Sequence, residues 1–103
     1  MKFKRLLLNE SITSVDLIHI REWLEQMGIE NYTINDDGTV DVDGDVNISN
    51  KNLTEIPIQF GKVNGNFWCN NNELTTLKGV PRIVGGIFSC SIHWRIYNTH
   101  SKK

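Results

Sequence analysis

A shift of 21 residues lays part of this chain on itself. Val42, Val63 and Val84 coincide, as do Gly44, Gly65 and Gly86. Val46 meets Phe67 and Phe88, and Ile48 meets Cys69 and Cys90. Asn50 then falls on Asn71, Leu53 on Leu74, Thr54 on Thr75 and Ile56 on Leu77. The three units open "VDGDVNISNKNLTEI", "VNGNFWCNNNELTTL" and "VGGIFSCSIHWRIYN". A short fixed period of this kind restricts the fold to stacked units, because one unit cannot bury its apolar edge without a neighbour.

Within each unit the pairs Val46/Ile48, Phe67/Cys69 and Phe88/Cys90 alternate with polar residues, the period of a half-buried strand. The glycine two residues earlier permits a tight turn into that strand. Leu53/Ile56 and Leu74/Leu77 are expected to point back into the same core, with equivalent residues stacked roughly 4.8 Å apart. Asn71 and its equivalent Asn50 read as turn residues. The middle unit, Phe67-x-Cys69-x-x-Asn72-x-Leu74, resembles the leucine-rich-repeat core L-x-L-x-x-N-x-L. The first unit has Lys51 at the asparagine position; the third has His93 there and Arg95 at the leucine position. The resemblance spans about residues 42–91. It implies that the Asn72 side-chain amide satisfies backbone groups of the turn. The phrasing "CNNNELTTLKGVPRIVGGIFSCS" also looks like short leucine-rich-repeat arrays of tailed bacteriophages.

Ahead of the repeats, "SITSVDLIHIREWLEQMG" reads as an amphipathic helix. Thr13 or Ser14 caps it, Asp16 sits in its first turn and Gly28 lies just past its end. Leu17, Ile20, Leu24 and Met27 share one face, which Ile18 and Trp23 widen. In "NYTINDDGTVDVDG" the pairs Tyr32/Ile34 and Val40/Val42 flank Asp36-Asp37-Gly38, the pattern of a hairpin. The expected fold is α+β: an N-terminal helix and β-hairpin capping a short leucine-rich-repeat-like solenoid of parallel strands with 21-residue coils. It forms one domain over 1–103, with the cap in 1–41, the coils in 42–91 and a C-terminal cap or tail in 92–103.

The 103 residues suffice for a modest core. A net charge of −1 gives no general attraction to nucleic acid or anionic membrane. The apolar run Leu6 to Leu8 is too short for a secretory leader, and nothing approaches a membrane span. The expected place is therefore inside a cell, where Cys69 and Cys90 are reduced core thiols, with a disulfide as the alternative. Neither cysteine has the close partners a zinc site needs. "DDGTVDVDGD" fails the register of a calcium loop, because Gly38 at the glycine position puts Thr33 first and Gly44 last. Asp36, Asp37, Asp41, Asp43 and Asp45 read instead as solvated strand and turn residues. Neither a Gly-rich phosphate loop nor a nucleophile motif is present. No catalytic residue, metal or cofactor is expected.

With Phe67 and Cys69 pointing in, Asn66, Trp68 and Asn70 point out, beside Asn47 and Ser89 of the neighbouring coils. An outward tryptophan is a favoured interface anchor; the alternative is that Trp68 packs on the tail at Ile92 or Trp94. The candidate partner-binding set is thus Trp68, Asn66, Asn70, Asn47 and Ser89. The tail "HWRIYNTHSKK" mixes Trp94, Arg95 and Tyr97 with His100, Lys102 and Lys103. It reads as a strand-like cap, or as a site stacking single-stranded nucleic acid. An uncapped last coil is a sheet edge able to pair with a second copy as a homodimer. The phage resemblance implies a non-enzymatic accessory protein in the host cytoplasm that binds, modulates or inhibits a host protein, including defence enzymes. Nucleic-acid binding through the tail, or a structural role in the phage, are the rival readings.

Overall fold

The computed structural model describes residues 13–92. Its one helix among these residues, α1 (Ser14–Gln26), starts where the sequence expects it. The Thr13 hydroxyl accepts from the Asp16 amide at 3.0 Å, and Asp16 adds a favourable charge at the helix N-terminus. Gly28, at φ +75°, turns the chain out of the helix. Leu24 is fully buried, while Ile20, Trp23 and Met27 pack on the core from its edge. Ile18 does not widen this face as expected. It is 51% exposed, as is Val15 at 59%, because the helix rests on the sheets along a narrower stripe.

The hairpin forms as read. Strand β1 (Tyr32–Ile34) pairs antiparallel with β2 (Thr39–Val42), Tyr32 opposite Val42 and Ile34 opposite Val40. The turn is closed by the Gly38 amide donating to the Asn35 carbonyl at 2.9 Å and the Asn35 amide donating to the Thr39 carbonyl at 2.8 Å. Asp37 braces it by accepting from the Thr39 amide and hydroxyl at 3.0 and 2.7 Å.

From β2 the chain passes into short strands that pair with their equivalents in the next unit. β3 (Val46–Asn47), β5 (Phe67–Cys69) and β7 (Phe88–Cys90) form a parallel three-stranded sheet. Val46 lies opposite Phe67, and Phe67 opposite Phe88, so its offset is the 21 residues of the sequence repeat. A second sheet escaped the sequence reading. β4 (Gln59–Val63) and β6 (Ile83–Val84) extend the hairpin into a mixed sheet of order β1-β2-β4-β6. The alternation Ile58-x-Phe60 and the aligned Val42, Val63 and Val84 were its signal. A bulge between Val40 and Val42 lets Val42 pair with Val63 although Val40 pairs with Phe60. The Asp41 carboxylate holds the bulged strand by accepting from the Lys62 amide at 2.9 Å.

The assembly is a small α+β domain whose single core runs between the two sheets and under α1. Trp23, Phe60, Phe67 and Phe88 make a continuous aromatic series that crosses it and ends at the exposed Phe88, with ring centroids 6.2, 5.3 and 5.7 Å apart. Gly65 and Gly86 serve this stacking differently from the expectation. Neither has a positive φ; a Cβ at Gly65 would strike the Asp45 carboxylate and one at Gly86 the Asn66 amide. Close approach of the preceding unit requires glycine there. Leu77, expected in the core, is 40% exposed and does not join it as Leu74 does.

The cysteines depart from the expected thiols. Cys69 and Cys90 are register partners with Cα atoms 4.5 Å apart, and the structure joins them as a disulfide. Parallel in-register stacking brings equivalent side chains within bonding reach, so the structure takes the disulfide that the sequence held as the alternative to reduced thiols.

Candidate functional site

The strand face around Trp68 starts from the alternation in β5. Phe67 and Cys69 are fully buried, and Trp68 between them lies half-buried on the opposite side. The register places Trp68 opposite Asn47 of β3 and Ser89 of β7. Asn66 and Asn70 flank it at either end of β5 and are half-buried too. All five residues singled out from the sequence therefore meet on one surface.

Most of the polar members are tied down by the framework. The Asn70 side chain donates to the Ser89 hydroxyl at 2.9 Å, and the Asn70 amide donates to the Ser49 hydroxyl at 3.2 Å. The Asn66 side-chain oxygen accepts from the Ile87 amide at 2.7 Å. The Asn47 side-chain oxygen accepts from the Ser49 amide at 3.0 Å. In both Asn47 and Asn66 the oxygen is used, while no hydrogen bond among the described residues takes up the Nδ2 group. The surface thus offers one aromatic ring and amide donors held in fixed orientation, which lowers the entropy cost of binding.

One ladder on this side was not read from the sequence. Asp45 accepts from the Asn66 amide at 2.8 Å, and Asn66 accepts from the Ile87 amide at the next unit. The signal was present: Asp45 and Asn66 are 21 residues apart, each just before a strand. Asp43 and Asp45 are exposed as expected and Asp41 is half-buried, and all three also act as acceptors between units; Asp43 takes the Asn64 side-chain amide at 3.0 Å.

The asparagine triplet divides as its positions require. The Asn72 oxygen accepts from the Lys51 and Leu53 amides at 2.9 and 3.1 Å, and its nitrogen donates to the Ile48 carbonyl at 2.9 Å. One side chain therefore satisfies the turn of the preceding unit, as the leucine-rich-repeat resemblance implied. Asn71 and Asn50 both adopt the left-handed conformation, at φ 60° and 59°, which asparagine tolerates better than other side chains.

Chemically this face suits contact by packing and neutral hydrogen bonding. No titratable group lies among its five members. Asp37, in the hairpin turn, has its carboxyl pulled below the ordinary value by the hydrogen bonds from Thr39. Among the described residues no three His, Cys, Asp or Glu side chains group as a metal site, and no helix is long and apolar enough to cross a membrane. His93, Trp94, Arg95, Tyr97, His100, Lys102 and Lys103, on which the cap and nucleic-acid readings rested, lie outside the described residues. Comparison with protein families, with curated proteins and with solved structures finds no match to this chain.

Proposed function

We propose that this chain is a non-enzymatic protein-binding module built as a short leucine-rich-repeat-like solenoid, with Trp68 as its anchor. The observation that carries the reading is the position of Trp68. It sits at the centre of the parallel sheet with Asn47 and Ser89 as its register partners. A half-buried tryptophan ringed by small polar groups has the composition of an interface hot spot. The Asn72 bonding to the turn of the preceding unit supports the repeat reading, since it performs the role the repeat family gives that residue. Solenoids bind through the exposed face of their strands.

The phage-like phrasing of the repeats makes the partner a protein of a bacterial host and the place of action the host cytoplasm. Covering the surface of a host enzyme, a defence enzyme among them, is the mode of action. The host cytoplasm keeps thiols reduced, so Cys69 and Cys90 work there as an in-register dithiol and close to a disulfide on oxidation.

The test is affinity capture from host lysate with the wild type and with Trp68→Ala. The reading expects a discrete host protein retained by the wild type and lost by Trp68→Ala, with an unchanged circular dichroism spectrum. Equal capture by both proteins, or none by either, contradicts it.

A further inference from the structure

A second surface lies away from Trp68. A groove of about 650 Å³ runs between α1, the hairpin turn and the start of β4. The helix contributes Asp16, His19, Ile20, Glu22 and Trp23, which follow one another at helical spacing along one side. The facing wall is Asp37 and Gly38 of the turn with Ile58 below them. Ile20 and Ile58 supply apolar floor, and the Trp23 ring is fixed from behind by Phe60 at 6.2 Å. Asp16, Glu22 and Asp37 put three carboxylates along the groove, and among the described residues no lysine or arginine lines it. The two hydrogen bonds from Thr39 favour the charged form of Asp37. The charge of Arg82 lowers its pKa slightly further, and Arg82 lies outside the lining.

We infer that this groove is a docking site for an extended, arginine-bearing segment of a partner protein. The charge decides the class. Three carboxylates around a confined space repel phosphates, lipid headgroups and acidic peptides, and attract guanidinium groups. The aromatic wall adds a second preference, since a guanidinium packs on a tryptophan face better than an ammonium does. The helix stripe from residue 16 to 26 is about 15 Å long, the reach of roughly four or five extended residues. An apolar residue between two arginines fits the floor while its neighbours reach the rim. The site is independent of the Trp68 face, which is built from β3, β5 and β7.

The test uses the full chain and an acetylated arginine–leucine–arginine tripeptide amide as the probe, with the glutamate–leucine–glutamate peptide as control. Binding is followed by two-dimensional NMR at low salt. Chemical-shift changes at the Trp23 indole and the Gly38 amide, weakening with salt and absent with the control peptide, support the site. In D16N/E22Q/D37N the dissociation constant rises about tenfold, and in the exposed single variant Glu22→Gln about twofold, with the rest of the spectrum unchanged. Trp68→Ala leaves the shifts in place. Equal shifts with both peptides, shifts untouched by the carboxylate variants, or shifts centred on Trp68 overturn the inference. So do shifts that appear only in K2Q/K4Q/R5Q, which would give the groove to the chain's own cations.

Discussion

Phe67 and Phe88 occupy the same place in neighbouring units, and their rings stack 5.7 Å apart at 5°. Yet Phe67 is fully buried and Phe88 is 43% exposed. The same contrast separates Cys69 from Cys90 in burial, and Ile87 and Ile83 join Phe88 with 61% and 57% exposure. Residue type and register are shared, so neither explains the difference. Burial in a stack is conferred by neighbouring units, and among the described residues only the middle unit has one on both sides. The middle unit is therefore the part whose geometry is fixed, which suits it to hold Trp68.

The comparison breaks hardest at its aromatic pair. Phe67→Ala is expected to cost about 3–5 kcal/mol, whereas Phe88→Ala costs about 1–2 kcal/mol because its ring already meets water. Urea unfolding of both variants measures this; equal losses would mean that the two units are equally packed. Reducing Cys69–Cys90 comes next. The bond closes a 21-residue separation, and its loss is expected to cost about 3 kcal/mol. The expected pattern is early loss of amide protection in β7 with β3 and β5 still protected, read by hydrogen exchange with and without reductant.

A smaller difference lies inside the asparagine triplet. Asn72→Ala leaves two turn amides without their acceptor and is expected to cost about 2–3 kcal/mol. Asn70→Ala removes only its bond to Ser89, about 1 kcal/mol or less. Thermal unfolding of the two variants separates a residue that holds the turn from one that faces outward. The smallest effect belongs to the hairpin. The folded-state pKa of Asp37 lies below its unfolded value of 3.8, so its contribution is complete above that value. It is lost as pH falls through the folded value. Wild type is expected to lose slightly more stability than Asp37→Asn below about pH 4, and parallel acid titrations would remove the claim.

The sequence carried the translational order of the molecule, and therefore the register of β3, β5 and β7, because identical residue types recur at one spacing. It also carried local chemistry: the Thr13 cap, the turn at Gly38, and Asn71 and Asn72. It carried less of what depends on neighbours. The sheet formed by β2, β4 and β6 was hidden because its strands share fewer matched residues than the Phe67 set. Asp41 and Asp45 alternate like solvent-facing residues, and only stacking reveals that they receive amides from the next unit. Ile18 has the spacing of a buried residue and lies off the contact stripe. The five candidate site residues were legible because outward positions follow from strand alternation. Their mutual hydrogen bonds were not, since these join different units.

The central claim is parallel stacking at a 21-residue register with Trp68 in the middle strand. Interstrand nuclear Overhauser contacts test it most directly. The account predicts contacts linking Val46 to Phe67, Phe67 to Phe88, and Trp68 to both Asn47 and Ser89, in the pattern of parallel strands. Close Hα–Hα contacts of the antiparallel kind between these strands, or pairing at any other offset, would contradict it.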